Sequence, residues 1–305
     1  MPIVLCVFGM VLVGSSVAVS QLLLDYPLLT GQGIRYAAAA VILFGMARLF
    51  PRFGAGSSPA PPNPRELAVL TALASTGMAA FNVCIMIGLR HADPAVVGTV
   101  VGAAPLGLAL LGPLLRGARP TARLLVAAAV VVGGTALVQG TGQADLIGLL
   151  AAAGALVGEV AFTLLAAAVL PRLGAVRVAA WSSALAAPLL LVGGLVAGEA
   201  AGMRLPTSTE LGALAYLAVL MTVVAFVVWF VGLQRLGVER AGMIVGVMPI
   251  ATLATAAIMA GALPGVGPTL GVLTVAGGLA LGLTAARPLA LRSASASSGA
   301  VTSKT

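Results

Sequence analysis

Residues 88–137 read GLRHADPAVVGTVVGAAPLGLALLGPLLRGARPTARLLVAAAVVVGGTAL, and residues 232–281 repeat this stretch without a gap. The two copies are offset by 144 residues (232 minus 88), and at this offset eight glycines and prolines coincide. The coinciding pairs are Gly88 and Gly232, Gly98 and Gly242, Gly102 and Gly246, Pro105 and Pro249, Gly117 and Gly261, Pro120 and Pro264, Gly133 and Gly277, and Gly134 and Gly278. Proline removes a backbone donor and glycine permits close backbone approach, so both residues fix backbone shape. Their shared spacing predicts one structural unit built twice.

The composition indicates a membrane protein. Apolar residues make up 60% of the 305 positions and charged residues 8%, with a mean hydropathy of +1.14. Soluble domains carry about 25% charged residues. Apolar stretches of about 20 residues, long enough to cross a hydrocarbon layer of ~30 Å, recur along the chain. We therefore predict an all-α integral membrane protein with about ten transmembrane helices.

The duplication divides these helices into two sets of five. Because five is odd, the second copy must enter the membrane upside down, which gives two inverted five-helix repeats. We predict the first repeat at residues 1–143, the second at 144–291, and a disordered cytoplasmic tail at 292–305. The Pro-, Gly- and Ser-rich loop Pro51–Arg65 is interpreted as a linker.

The arginines predict the orientation of the chain. They concentrate in alternate loops and at the C-terminal tail, which places both termini in the cytoplasm of a multi-pass protein of the cell (plasma) membrane. The same distribution explains the net charge of +8 without nucleic acid, since the basic residues stand singly or in twos and threes between apolar runs. Trp229 lies just before Arg235, which predicts a place in the interfacial aromatic belt.

Two inverted repeats are a recurring plan of secondary transporters, whose substrate path lies between the repeats near the membrane midplane. The sequence has no ATP-binding loop, nucleophile elbow or metal-ligand spacing, so we predict no catalytic residue, no metal and no cofactor. The predicted partners are a small-molecule substrate and the lipid bilayer, with proton coupling left open and the oligomeric state undetermined. Two alternatives also stay open: an integral membrane enzyme, and a passive facilitator or channel.

Glu159 is the leading candidate for chemistry because it stands near the middle of the sixth predicted helix among apolar neighbours. A carboxylate at that depth is costly unless it is protonated, paired or hydrated, which suits a proton-coupling group or a structural hydrogen bond. At the offset of 144 its repeat equivalent is Ser15, and Ser15, Ser16 and Glu159 are predicted to face one cavity. A structural role for Glu159 remains the alternative.

Three further residues complete the predicted substrate-binding set. Arg35, within the second helix, matches the geometry of a substrate carboxylate; pairing with Glu159 and snorkelling to the headgroups are its alternatives. Asn82 is a polar residue within a span that lines the path or bridges helices. Trp181 supplies an aromatic wall. The paired glycines Gly98/Gly102 and Gly242/Gly246 are interpreted as helix-packing surfaces.

The order and duplication of these motifs resemble the drug/metabolite transporter superfamily, specifically the EamA-type permeases with ten helices. The resemblance covers about Pro2 to Leu291, and its carriers are Gly14-Ser15-Ser16, the stretch Leu89–Pro105 with its copy Leu233–Pro249, and Gly133-Gly134 with its copy. It implies export of amino acids, metabolites or toxic compounds by a permease. The chain departs from the family in reading Gly117-Ala118 and Gly261-Ala262 where a Gly-Glu pair is frequent.

Overall fold

The computed structural model describes residues 2–23, 25–53, 55–58, 60–140, 142–261 and 263–285. Within these ranges the chain is helical, and its β-pairing amounts to two isolated bridges. The predicted tail, residues 292–305, lies outside the described residues.

Five helical segments make up the first half of the chain. They are α1 (Pro2–Ser20), α2 (Leu28–Leu49), α3 (Pro64–His91), α4 (Pro94–Val101 and Ala104–Leu114) and α5 (Ala122–Gln139). The second half has the same five segments. They are α6 (Leu146–Leu173), α7 (Ala175–Val196), α8 (Ser208–Leu236), α9 (Val238–Ile244 and Val247–Ala260) and α10 (Val266–Ala285).

The length and apolarity of these helices confirm the predicted membrane fold. In the described part of the chain, nine helices are long and apolar enough to cross a bilayer, and α1 adds a shorter apolar stretch, Pro2–Ser16. Large apolar side chains point outward along them, as Val41, Leu150 and Val196 do, which are between 63% and 85% exposed. Such surfaces are stable against lipid and would be costly against water.

The two halves interleave rather than stand side by side. Helix α1 of the first half packs on α8 and α9 of the second, whereas α6 of the second half packs on α3 and α4 of the first. The remaining helices pair across the halves, α2 with α7 and α5 with α10. The contacts of α1 with α8 and α9 correspond to those of α6 with α3 and α4, and the α2–α7 and α5–α10 pairs each correspond to themselves. This correspondence is what two inverted repeats require.

Local irregularities repeat at the same offset as the glycines. A π-helical segment interrupts α3 at Leu73–Ala80, and a second interrupts α8 at Leu217–Val224, which is 144 residues later. Helix α4 breaks at Gly102, and α9 breaks at the equivalent Gly246. A side chain at either glycine would collide with α5, so the predicted use of these glycines for packing is confirmed. The duplication therefore reaches the details of backbone shape.

Two sequence predictions need correction. Trp229 is 3% exposed and belongs to the apolar core, because the face of α8 that carries it packs against α1. The Pro51–Arg65 loop is more than a linker, since the N–H groups of Ser57 and Ser58 donate to the carbonyls of Pro171 and Arg172. The guanidinium of Arg177 donates to the Ser58 and Ala60 carbonyls as well. This loop fastens the end of α2 to the α6–α7 corner.

Candidate functional site

The interior of the bundle is packed differently at its two ends. We call the end at which α1 begins and α10 ends the terminal end, and the opposite end the far end. One large apolar core joins α1, α2, α3, α4, α6, α7, α8 and the first part of α9, and the aromatic side chains Phe162, Phe226 and Phe230 pack within it at 5.3–5.9 Å between ring centroids. This core reaches the far end along α2 and α7, through Leu29 and Leu190, whereas among the described residues α1, α4, α6 and α8 do not share it at that end.

Two separate apolar clusters stand at the far end instead. The cluster on α1 and α8, with the turn that follows α1, contains Leu23, Tyr26, Ala213, Leu214 and Leu217. The cluster on α4 and α6 contains Val97, Val101, Ala152 and Ala155. We call these two clusters, with the helices that carry them, the two walls of the far end.

The closed terminal end depends on the crossing of α4 and α9. A Cβ placed on Gly242 would lie 2.8 Å from the Cβ of Leu108, and one placed on Gly112 would lie 3.5 Å from the Cβ of Val238. Beyond these contacts Arg116 forms an ion pair with Glu239. Because glycine leaves no side chain in the crossing, the two helices approach closely there.

The equivalent crossing at the far end is not made. The repeat places Gly98 and Thr252 where Gly242 and Leu108 stand at the terminal end. The nearest atoms to a Cβ on Gly98 belong to Gln139 of α5, and the Thr252 hydroxyl donates to the Gly14 carbonyl at 3.1 Å. Helices α4 and α9 are thus in contact through one half of each helix only.

Glu159 lies on one wall of this interior. It is the fourteenth of the 28 residues of α6 and is partly exposed, although Ala155 and Thr163, one turn away on either side, are buried. Among the described residues its carboxylate has no hydrogen-bond or ion-pair partner, and no pairing with Arg35 exists. An acid within a transmembrane helix ordinarily faces the bundle interior or water rather than lipid.

The prediction that Ser15 is the repeat equivalent of Glu159 is wrong by one residue. The contact between Gly9 of α1 and Val228 of α8 is equivalent to the contact between Gly154 of α6 and Cys84 of α3. Val228 and Cys84 differ by 144 residues, as the repeat predicts, but Gly154 and Gly9 differ by 145. Helix α1 is therefore shifted by one residue relative to the rest of the repeat. The contacts of Gly232 with Cys6 and of Gly88 with Ala151 give the same shift.

Gly14 therefore stands where Glu159 stands in the other half. A Cβ on Gly14 would lie 2.5 Å from the Met248 carbonyl oxygen and 2.7 Å from the Cβ of Ala251, which is too close for any side chain. The first half thus has a tight glycine contact between α1 and α9 at the position where the second half has an acid.

Ser15 and Ser16 lie on the opposite wall from Glu159. The Ser15 hydroxyl is 2.9 Å from the Tyr216 hydroxyl of α8 and also donates to the Leu12 carbonyl. Ser16 is 5% exposed and donates to the Val13 carbonyl at 2.7 Å. Helices α1 and α6 have no extensive contact in the described part of the chain, so the structure does not bring the serines and the acid into contact.

Asn82 and Trp181 lie apart from these residues. Asn82 of α3 is half-buried and donates from Nδ2 to the Met78 carbonyl at 2.6 Å within its own helix. The Trp181 ring packs edge to face on Phe44 at 5.5 Å and so supports the contact between α2 and α7. It shares its face of α7 with Val192, which is 58% exposed.

Arg35 is buried beside an aromatic ring. Its residue is 5% exposed, its Nε has no hydrogen-bond acceptor among the described residues, and the guanidinium carbon lies 4.3 Å from the Tyr36 ring centroid, a cation–π contact. The Oε1 atom of Gln32, one turn earlier in α2, is buried and likewise has no hydrogen-bond partner in the described part of the chain. No sequence signal marks Gln32, because only the folded chain shows that its amide oxygen is buried and unpaired.

Charged residues at the bundle ends fix the helix starts. At the far end Glu210 accepts hydrogen bonds from the Thr207 backbone and hydroxyl and from Arg204 at 2.7 Å, and this partner raises the pKa of the Arg204 guanidinium. Glu66 and Asn63 form the equivalent capping box at the terminal end, where Glu66 also pairs with Arg172. These acids serve helix capping rather than the interior.

A second polar contact at the far end ties the two halves together. Asp145 accepts a hydrogen bond from the Gly148 N–H at 2.8 Å and lies 2.9 Å from Nδ1 of His91. The Gly148 N–H is the larger cause, and His91 the next, of a pKa below the usual value for the Asp145 carboxyl. Across the described ranges no three His, Cys, Asp or Glu side chains gather as metal ligands.

Comparisons with known proteins agree with this architecture. The profile of the family described as "EamA-like transporter family" matches twice, at residues 1–139 and 146–284. The protein named "Uncharacterized transporter YetK" of Bacillus subtilis (strain 168) is 24% identical over 257 residues, which cover 80% of this chain and 75% of that protein. A solved structure titled "Crystal structure of protein" superposes with a TM-score of 0.75 at 17% identity, covering 93% of this chain and 98% of the other. At that identity the superposition supports the fold alone.

Proposed function

Since the chain belongs to the EamA-like transporter family, and so is a membrane transporter, we propose that it is a secondary transporter that moves a small organic molecule by alternating access. The observation that carries the proposal is the unequal packing of two inverted repeats. Helices α4 and α9 meet at the terminal end through Leu108 and Gly242, while their repeat equivalents Thr252 and Gly98 stay apart. A duplicated sequence permits both arrangements with similar energy.

The second state follows from exchanging the two halves. In it Gly98 packs against Thr252 at the far end, and Leu108 separates from Gly242 at the terminal end. The substrate site stays in place between the walls while access to it changes ends. One difference between the halves biases this exchange. The repeat equivalents of Arg116 and Glu239 are Ala260 and Ala95, so the terminal end has an ion pair that the far end lacks.

The residues proposed to contact the substrate come from both walls. Ser15, Ser16 and Arg35 belong to the wall of α1, α2 and α8, and Asn82 and Glu159 belong to the wall of α3 and α6. Trp181 enters the proposal through its contact with α2, which orients the helix of Arg35. Because a molecule between the walls touches residues of both repeats, its binding energy depends on how the repeats are arranged.

Glu159 is proposed to couple transport to protons. In the first half, Gly14 of α1 packs tightly against α9. If α6 moves equally close to α4, the side chain of Glu159, the equivalent of Gly14, becomes buried in that contact. A charged carboxylate resists that burial, whereas a protonated one accepts it at the cost of an ordinary polar group. Proton binding and release would therefore accompany the change of access.

The proposed setting is the cell membrane with both termini in the cytoplasm, because the loop arginines concentrate on that side. The proposed direction is export. With this orientation the terminal end is cytoplasmic, and the arrangement described above opens outward.

A two-step experiment tests the function. Metabolites of cells with and without the protein are compared, and each candidate is then offered to proteoliposomes that contain the purified protein. We expect saturable uptake that follows an imposed pH gradient. Flux that does not saturate identifies a passive facilitator or channel, and chemical conversion of the candidate identifies a membrane enzyme; either result contradicts the proposal.

A further inference from the structure

Arg35 is the polar residue whose burial the fold least explains. It lies on the second turn of α2, and the residue is 5% exposed. Its guanidinium makes no hydrogen bond to any described residue, and no carboxylate lies within ion-pair distance. The Tyr36 ring gives this cation a cation–π contact but no counter-charge, and a buried charge without a counter-charge is costly.

The structure removes two of the three roles that the sequence leaves open for Arg35. Pairing with Glu159 is absent, because Glu159 has no partner of any kind in the described part of the chain. Snorkelling to the headgroups is absent too, because a snorkelling side chain exposes its charged end, and this one is buried beside the Tyr36 ring. The remaining role is a binding partner that arrives from outside the chain.

The surroundings of Arg35 have the features of a binding site. Gln32, one turn away, has an amide oxygen that is also buried without a partner. Helix α2 packs here on the π-helical segment Leu217–Val224 of α8, and π-helical segments occur frequently at functional sites. Leu217 also belongs to the far-end cluster on α1 and α8.

We propose that Arg35 and Gln32 bind the carboxylate of a monoanionic substrate, an inference that rests on the proposed transport function. A guanidinium donates two parallel hydrogen bonds to a carboxylate, and one negative charge neutralises the one buried positive charge. A phosphate dianion would leave one charge uncompensated in the same apolar surroundings. The amide of Gln32 adds a donor for the carboxylate and an acceptor for a neighbouring hydroxyl or ammonium group.

Thermal unfolding of the purified full-length protein in detergent tests this site without requiring transport. The probes are sodium carboxylates from acetate to octanoate, each compared with its uncharged amide and with sodium chloride at equal concentration. We expect at least one carboxylate to raise the Tm in a saturable manner while its amide and chloride do not. The proposal is overturned if amide or chloride matches the carboxylate, or if no carboxylate of the series has an effect.

The variants separate binding from folding. Arg35→Lys keeps the charge but loses the fork, so we expect carboxylate binding at least about tenfold weaker. Arg35→Gln is expected to abolish binding and, because it removes an uncompensated buried charge, to raise the Tm of the ligand-free protein. Arg48→Gln, at an exposed position of the same helix, is the matched control and is expected to leave binding unchanged. Retained binding in Arg35→Gln, or a lower ligand-free Tm, identifies a structural arginine and contradicts the proposal.

Failure of this inference is distinct from failure of the proposed function. A transported substrate without a carboxylate would overturn the Arg35 site and leave the transporter intact. Carboxylate binding without flux in proteoliposomes would support the Arg35 site and overturn the transport function.

Discussion

Gly14 and Glu159 show how one residue distinguishes two halves that otherwise match. Gly14 allows the backbones of α1 and α9 to touch, and the Thr252 hydroxyl donates to its carbonyl. Glu159 has the equivalent place in α6, with a partly exposed and unpaired carboxylate. In the proposed mechanism, the acid makes closure of its own end depend on protonation, whereas the glycine does not.

Replacing Glu159 by Gln tests the proton-coupling role directly. Gln has the size and hydrogen-bonding capacity of the protonated acid, so we expect the variant to fold and to exchange substrate for substrate. It is expected to lose the response to an imposed pH gradient in proteoliposomes, because no proton binds. Accumulation driven by the gradient as well as in the parent protein would end the coupling proposal.

A second replacement tests the close contact of α1 with α9. Gly14→Ala introduces a Cβ into a space where backbone and side-chain atoms lie within 3.0 Å, so we expect a loss of about 1–3 kcal/mol in the free energy of unfolding. Gly45→Ala in α2 is the matched control, since a Cβ there meets no atom within 4 Å and alanine favours helix. Chemical denaturation in detergent measures both variants. Equal stability of the two would mean that α1 and α9 are not in close contact.

Elements of this bundle were predictable where glycine and proline determine the backbone. The duplicated glycines predicted the packing faces of α4 and α9, although not the breaks that these helices have at Gly102 and Gly246. The π-helical segments and the one-residue shift of α1 were not predictable, because uniformly apolar sequences hide changes of helical period. The anchoring of the Pro51–Arg65 loop could not be predicted for another reason. Its hydrogen bonds to α6 are made by backbone N–H and C=O groups, which nearly every residue has, so no residue type marks them in the sequence.

The contact between His91 and Asp145 predicts how the far end responds to acid. The pKa of Asp145 is lowered in the folded protein, so its ionised form contributes stability above the unfolded-state pKa of about 3.9, and this contribution is lost as pH falls through the folded value. We expect Asp145→Asn to lower the Tm at pH 7, and the difference from the parent protein to shrink between pH 7 and about pH 3 as the pH falls towards the folded pKa of Asp145. A constant Tm difference for Asp145→Asn across this range would contradict the assignment.

At the scale of the molecule, the candidate site was predictable in outline but not in its contacts. Isolated polar residues in apolar spans identified Glu159 and Arg35, since each is expensive at that depth. Which wall each belongs to, and that neither neutralises the other, depends on how the two repeats interleave. The sequence contains no local signal for that arrangement. The same limit applies to Gln32, because the sequence does not indicate that its amide oxygen is buried without a hydrogen-bond partner among the described residues.

Crosslinking at both ends of the α4–α9 pair tests the central claim most directly. In protein without Cys6 and Cys84, one pair of cysteines replaces Gly112 and Val238, whose Cβ positions are 3.5 Å apart, and a second pair replaces Gly98 and Thr252. That separation is within the range of a disulfide. If access alternates, each pair alone forms a disulfide in native membranes, and in the protein with all four cysteines one disulfide excludes the other. Absence of any Gly98–Thr252 crosslink, or formation of both disulfides in the same molecule, would contradict alternating access by exchange of the two repeats.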